Sequence, residues 1–295
     1  MPREWAVIGV PIDSVGRAGG TEFAPAALRD HHLVARVGAA DRGDLDVTIR
    51  GDTRDPETGV IGIADVLATT TAVREAVHAA VSAGTRPLVL GGCCGLVPGA
   101  LAGLRDAVGA LGVAYVDGHV DVYDGRSSPT GEAADMPMGV AFGLGPDAWV
   151  EVAGGPSAAP QDVVVLGARD PEESADIAEL LAGRLAALEV HGPDELRADG
   201  PATAAARAAA RLSPAPFWIH LDVDVLDEQA MPATDYLMPG GLGWDEVTAL
   251  LEPLCASPAL AGFSLGCVNP EKDPDGRYVE QTCALLERVL AAGAR

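Results

Sequence analysis

Short apolar segments alternate with longer alanine-rich segments along the 295 residues of the chain. Most short segments are continuous aliphatic or β-branched runs, a pattern typical of strands buried on both faces of a parallel sheet. The pattern predicts strands at 5–10, 46–49, 87–90, 113–116, 162–166, 188–191, 217–223 and 262–267. Helical patterns lie between them, including 63–82, 172–187, 244–254 and 276–290.

This alternation predicts a three-layer αβα sandwich with a doubly wound, mostly parallel sheet of about eight strands. Neither a repeat nor a convincing linker interrupts the pattern, so we expect a single domain over residues 1–295. In open sheets of this class, ligands bind beyond the carboxyl ends of the strands. The residues that directly follow each strand are therefore the place to look for chemistry.

The charge balance narrows the class of partner. The chain has 43 acidic and 20 basic side chains, a formal net charge of −23, which excludes the usual kind of nucleic-acid binder and disfavours anionic membranes. No apolar run approaches the roughly 20 residues that span a bilayer. The five cysteines are scattered without C-x-x-C spacing, a usage that fits a reducing cytoplasm. We expect a cytoplasmic protein that acts on a small molecule.

Carboxylates and a histidine follow two of the predicted strands. Asp117, His119 and Asp121 occupy alternate positions of D-G-H-V-D, so they share one face in extended chain. Asp222 and Asp224 are spaced in the same way. Like charges repel, so this assembly is costly without a divalent cation. The alternative is that each D-x-D segment is a loop cap or a solvated turn. Oxygen ligands with one imidazole suit Mn(II) or Mg(II), with Zn(II) or Fe(II) as alternatives.

The segments D-G-H-V-D and L-D-V-D-V-L-D resemble the D-A-H-x-D and S-x-D-x-D-x-x-D-P motifs of the arginase/agmatinase (ureohydrolase) superfamily. Other segments resemble family motifs in the same order. These are G-G-T-E at 19–22, L-G-G at 90–92, G-A-R-D at 167–170, P-A-T at 232–234, G-G-L at 240–242 and N-P at 269–270. The resemblance covers nearly the whole chain and implies an arginase-like fold.

The resemblance implies a hydrolase with two Mn(II) ions that cleaves C–N bonds in linear guanidines or amidines by attack of a metal-bound hydroxide. Asp117 and Asp222 would bridge the ions. His119 and Asp224 would complete the shell of one ion, and Asp121 would bind the other. Asp121 would also accept a hydrogen bond from the hydroxide and carry its proton. The family further implies a homo-oligomer, a trimer or a hexamer.

The match breaks at a metal ligand. Cys94 stands where the family has a ligand histidine, and a thiolate is a softer ligand than imidazole. A two-metal site with a sulfur ligand, a site that favours Zn(II), a single-metal site and a merely buried Cys94 all remain open. His220 shares a face with Asp222, and we expect it to orient a ligand rather than to bind metal.

The match also breaks in the substrate pocket. Cys267 replaces the glutamate that pairs with the guanidinium group, and Ala134 replaces a loop histidine. We therefore expect a modified guanidino compound, such as an N-hydroxyguanidino acid, rather than L-arginine. The alternatives are a single-metal deacetylase-like amidohydrolase and a non-catalytic ligand-binding protein. The expected substrate-binding residues are Thr130, Glu132, Asp135, Glu172 and Asp235.

Overall fold

The computed structural model describes residues 4–292 of the chain. Residues 1–3 and 293–295, which the predicted domain 1–295 includes, lie outside the described residues. The strands within the described part are β1 (Trp5–Val10), β2 (Ala40–Asp44), β3 (Arg86–Gly91), β4 (Gly112–Val116), β5 (Val163–Leu166), β6 (Glu189–His191), β7 (Phe217–Asp222) and β8 (Leu260–Gly266).

These strands form one sheet in the order β2-β1-β3-β8-β7-β4-β5-β6. Every pairing between neighbouring strands in the described part is parallel, which confirms the predicted α/β fold class. The order places β3, β8, β7 and β4 side by side at the centre of the sheet. The loops that leave their carboxyl ends are thereby gathered at one edge.

Helices cover both faces of the sheet. They are α1 (Ala24–Asp30), α2 (Leu33–Arg36), α3 (Ile63–Ser82), α4 (Val97–Val108), α5 (Pro137–Ala141), α6 (Asp147–Val152), α7 (Pro171–Asp176), α8 (Ala178–Ala182), α9 (Pro193–Asp199), α10 (Pro201–Leu212), α11 (Trp244–Cys255) and α12 (Arg277–Ala292). None of the helices within residues 4–292 combines the length and apolarity that crossing a bilayer requires.

The strand side chains alternate between two apolar cores, one on each face. Phe217 and Ile219 of β7 join the core that α1, α2 and α9–α12 cover, whereas Trp218 joins the core covered by α3–α6. Both faces are therefore apolar, which is why the strands appear in the sequence as continuous hydrophobic runs. The polar and charged candidate site residues therefore lie at the ends of the strands rather than on the faces of the sheet.

The predicted strand at 46–49 is wrong. The second strand is β2, Ala40–Asp44, which pairs with β1 at the sheet edge and is mostly exposed. Arg29 forms ion pairs with Asp41 and Asp44 of this strand. The β-branched run at 46–49 instead places Ile49 in a core. Backbone pairing and these ion pairs outweigh local strand propensity.

The predicted helix at 172–187 is divided in the structure. It forms the two short helices α7 and α8, and α8 ends at Ala182, directly before Gly183. By contrast, the predictions for β1 and α3 match the structure at both ends. The periodicity of hydrophobic positions therefore predicts a long helix such as α3 correctly. It does not distinguish one continuous helix from two short consecutive helices.

Replacing Phe263 with Ala tests the contribution of the sheet core. Phe263 of β8 is fully buried, so we expect the change to reduce the free energy of unfolding by about 3–5 kcal/mol. Phe23→Ala is the matched control because Phe23 is 45% exposed, and its effect should be small. Urea denaturation followed by circular dichroism measures both, and equal midpoints would contradict the assignment of the core.

Candidate metal centre

Two adjacent strands supply the centre. Val116 of β4 pairs with Leu221 of β7, so Asp117 and Asp222 are the next positions along this register. Each carboxylate stabilises a turn in the loop that follows it. Asp117 Oδ1 accepts a hydrogen bond from the His119 amide, and Asp222 Oδ1 accepts one from the Asp224 amide, both at 2.8 Å. These local turns direct the following side chains toward the same edge of the sheet.

Asp117, His119 and Asp224 form the first group of possible metal ligands, and we call it the oxygen–nitrogen group. His119 Nδ1 lies 3.0 Å from Asp224 Oδ2 and 3.5 Å from Asp117 Oδ1. The two loops are joined because the Gly118 amide donates to Asp224 Oδ1 at 3.0 Å. Two carboxylates and one imidazole make a donor set suited to Mn(II).

Cys94, Asp117, His220 and Asp222 form the second group, and we call it the sulfur group. Cys94 Sγ lies 2.7 Å from Asp222 Oδ2 and 3.1 Å from His220 Nε2. All four side chains are buried. From the sequence, we expect His220 to orient a metal ligand. In the structure, its Nε2 instead lies among the atoms that could bind the metal themselves.

Two glycines make room for Cys94. A Cβ atom at Gly92 would lie 1.7 Å from the Ile12 carbonyl oxygen, so only glycine allows the loop after β3 to pass there. At Gly266, the last residue of β8, a Cβ would lie 3.2 Å from Cys94 Sγ and 3.3 Å from His220 Cε1. The absence of a side chain at both positions lets Cys94 reach a carboxylate that ends a different strand.

Asp117 belongs to both groups and is fully buried. Among the described residues, its Oδ2 atom has no hydrogen-bond partner. An unpaired buried carboxylate oxygen is costly, and a cation is the partner that the surrounding carboxylates favour. The residues therefore fit a centre of two cations that share Asp117.

Burial and like charges shape the protonation of the cation-free protein. Burial, together with the charge of Asp224, raises the pKa of Asp117 to about 7. Burial lowers the pKa of His119, but the charges and hydrogen bonds of Asp224 and Asp117 together outweigh burial and raise that pKa. Burial raises the pKa of the Cys94 thiol well above its ordinary range and lowers the pKa of His220 to about 3.

Asp121 lies outside both groups. Its carboxylate accepts a hydrogen bond from the Tyr115 hydroxyl at 2.5 Å, and it lines the same cavity as the two groups. Asp121 has a left-handed φ of 56°, which is unusual for a residue with a side chain. The role of Asp121 as a metal ligand stays a prediction.

Glu173 and Asp170 support the centre, and Glu173 was not among the predicted site residues. Buried Glu173 accepts hydrogen bonds from the amides of Val120 and Asp121, both at 2.8 Å, and so fixes the left-handed turn. Asp170 caps α7, and its Oδ2 lies 3.4 Å from His119 Nε2. In the segment D-P-E-E at 170–173, an aspartate directly before a proline is a helix-cap signal in the sequence for Asp170.

The predicted substrate residues line a cavity of about 430 Å³. Ser14 donates to Glu132 at 2.9 Å, and Thr130 donates to Asp135 at 2.6 Å. Asp235 is already paired with Lys272 at 2.7 Å, and Glu172 is exposed at the rim.

The fold and the centre define a class. An all-parallel αβα sandwich places two adjoining ligand groups, rich in carboxylates, beneath a cavity at the carboxyl edge of its sheet. This is the arrangement of a metal-dependent α/β hydrolase.

Comparisons with known proteins identify the family. The model of the arginase family matches residues 3–292. The chain is 29% identical to an arginase of Brevibacillus brevis and 27% identical to an arginase of Bacillus subtilis, with 98% of both chains covered in each case. The arginase structure from Bacillus caldovelox is similar with a TM-score of 0.89 at 25% identity, covering 98% of each chain.

The chain therefore belongs to the arginase family. It is a ureohydrolase that acts on C–N bonds of amidines, and the similarity covers 98% of the Brevibacillus brevis arginase.

The raised pKa of Asp117 predicts how the stability of the cation-free protein depends on pH. Its pKa rises from an ordinary 3.8 to about 7 in the folded protein, so the folded state binds the proton more tightly. Stability contributed by this proton is present at low pH and is lost as the pH rises through about 7. In the presence of a chelator, the melting temperature should fall by about 5 °C between pH 5 and pH 8.

Asp117→Asn should reduce this fall in melting temperature between pH 5 and pH 8 because it removes the buried charge. Asp147→Asn, which changes an exposed aspartate on α6, should retain the full fall. Thermal melts by circular dichroism measure all three proteins, and identical pH profiles would contradict the assigned burial of charge.

Proposed function

We propose that the chain hydrolyses a linear guanidine or amidine with two divalent cations, one on each ligand group, with Mn(II) on the oxygen–nitrogen group. The observation that carries this proposal is buried Asp117, which both groups share and whose Oδ2 has no hydrogen-bond partner among the described residues. Two groups, rather than one, favour a binuclear centre over a single-metal deacetylase-like site. When bound, such cations lower the pKa of water and offset the negative charge that develops on the substrate.

The side chains around the centre supply the remaining chemistry. His119, Asp117 and Asp224 would hold one cation through imidazole and carboxylate donors. Tyr115 orients the carboxylate of Asp121, which places a proton acceptor in the cavity wall beside the centre. Glu173 keeps this loop in place through two backbone amides. Asp121 is therefore the group we assign to proton transfer toward the leaving amine.

The cavity favours a cationic substrate. Acidic side chains predominate in its wall, including Asp13, Glu132, Asp135 and Glu172, whereas Arg17 provides a permanent positive charge. A guanidinium group would meet a negative potential on its way to the centre. Glu172, at the rim near Asp170, is positioned for an α-amino group of the substrate.

The presence of Cys267 in the cavity favours a substrate whose guanidine group is less basic than that of L-arginine. It lines the cavity where the sequence motif leads one to expect a glutamate, so a carboxylate partner for the guanidinium group is missing there. N-hydroxylation withdraws electron density and makes a guanidine less dependent on such a partner. An N-hydroxyguanidino acid is therefore the first substrate to test. The cytoplasmic location and an assembly of three or six copies stay predictions from the family resemblance.

Turnover by the reconstituted protein tests the proposed function. The Mn(II)-loaded protein should hydrolyse at least one of N-hydroxy-L-arginine, L-arginine, agmatine and formiminoglutamate. Asp224→Asn should reduce turnover by more than ~100-fold because it removes a proposed metal ligand. Asp147→Asn on the surface should leave turnover unchanged.

Release of urea, hydroxyurea or formamide, measured together with the amine product, reports the reaction. The proposal fails if none of the four compounds is hydrolysed although elemental analysis finds two ions bound.

Glu132→Gln tests the attraction of a cationic substrate. Glutamine preserves an oxygen for the Ser14 hydroxyl but removes the charge, so the KM for a cationic substrate should rise about tenfold with kcat within about twofold. Asp235→Asn should have a smaller effect because Lys272 already neutralises that carboxylate. Steady-state kinetics measure both variants, and a larger effect at Asp235 would reverse the assignment.

A further inference from the structure

The two ligand groups differ in chemical softness. The oxygen–nitrogen group offers two carboxylates and one imidazole, whereas the sulfur group offers a thiol, an imidazole and two carboxylates. Soft sulfur ligands select Zn(II) over Mn(II), while carboxylate-rich sets suit Mn(II). The shared Asp117 is the donor that the two groups have in common.

His220 is oriented as a ligand would be. Its Nδ1 lies 2.8 Å from Ser264 Oγ, which also accepts a hydrogen bond from Trp218 Nε1 at 2.8 Å. The Ser264 oxygen can accept from the imidazole as well, which leaves the Nε2 lone pair directed toward Cys94. Metal-binding histidines commonly donate their other N–H group in this way.

The plane of the His220 ring is also fixed. The ring stacks on Tyr115 with centroids 5.0 Å apart and an angle of 29° between the planes. Tyr115 and His220 are both fully buried, so their packing leaves the imidazole little freedom to turn away. The strand, the stack and the Ser264 contact together hold Nε2 at one position.

The distances among the donor atoms are close to those of one coordination shell. Around a tetrahedral Zn(II), sulfur and nitrogen ligands lie about 3.5 Å apart, given bond lengths of about 2.3 and 2.0–2.1 Å. Cys94 Sγ and His220 Nε2 lie 3.1 Å apart. Cys94 Sγ and Asp222 Oδ2 lie 2.7 Å apart, so a cation between them requires an expansion of less than about 1 Å.

We propose that His220 is a metal ligand and that the centre holds two different metals. Cys94, His220, Asp222 and Asp117 hold Zn(II) or a comparably soft cation, and Asp117, His119 and Asp224 hold a harder one such as Mn(II). This inference rests on the proposed two-cation centre and adds the identity of each site. It assigns His220 a binding role rather than an orienting one.

Cobalt spectroscopy tests the sulfur group without measuring turnover. One equivalent of Co(II) added to reduced, cation-free protein should occupy this group and produce a thiolate-to-cobalt charge-transfer band and intense visible bands of four-coordinate cobalt. Cys94→Ser should abolish the charge-transfer band. His220→Asn should retain that band, change the visible bands and lower Co(II) affinity by about tenfold or more.

Three control variants accompany the cobalt titration. Cys255→Ser removes a buried thiol of α11 outside both groups, and His78→Asn removes an exposed imidazole of α3. Both should retain the wild-type cobalt spectrum. Asp224→Asn should also retain the charge-transfer band because Asp224 belongs to the other group. Thermal melts of the cation-free variants establish that they are folded, and His220→Gln replaces His220→Asn if the latter is not.

Mixed loading tests the second metal. Protein given one equivalent of Zn(II) and an excess of Mn(II) should retain one ion of each kind by elemental analysis. Its electron paramagnetic resonance spectrum should show isolated Mn(II) rather than a coupled pair.

Weak six-coordinate cobalt bands without charge transfer, an unchanged spectrum in His220→Asn, or two Mn(II) ions per chain would overturn the proposal. Loss of turnover with these spectra intact would instead contradict the proposed function alone.

Discussion

The repulsion between buried carboxylates is the constraint on which this molecule depends. Asp117, Asp222 and Asp224 meet at the ends of two paired strands, where the apolar sheet excludes water. Hydrogen bonds from backbone amides offset part of the cost, but Asp117 Oδ2 finds no such partner among the described residues. The centre is therefore arranged for a cation, and the surrounding loops hold the carboxylates in place until one binds.

The supporting side chains follow from the same constraint. Glu173 and Asp170 are themselves acidic, yet backbone amides bond both: Glu173 accepts from the loop after β4, and Asp170 accepts from the start of α7. Amide donors and the positive end of a helix lower the cost of a negative charge. The protein thus orients further carboxylates around the centre with neutral partners, which keeps the net negative potential that attracts a cationic substrate.

Much of the fold could be predicted from the sequence because both faces of the sheet are apolar. Buried strands such as β1 and the long helix α3 have continuous or periodic patterns that local inspection recognises. The edge strand β2 has no such pattern, since Arg29 and the backbone of β1 hold it. Pairing with a distant segment cannot be inferred from local propensity.

The candidate site was predictable in part for a similar reason. Asp117, His119 and Asp224 lie in short motifs whose spacing reveals their common direction. Glu173 acts through backbone amides 52 and 53 residues earlier in the chain, a contact without a local signal. The position of His220 beside Cys94 likewise depends on the strand order, which brings residues 126 apart into contact.

Gly266 couples Cys94 and His220 through the space that they share. Because a Cβ there would press on both Cys94 and His220, a substitution at Gly266 changes the space available to each of them. Replacing one ligand alters what is tolerated at the other two positions, so the effects of mutations at these sites are not additive.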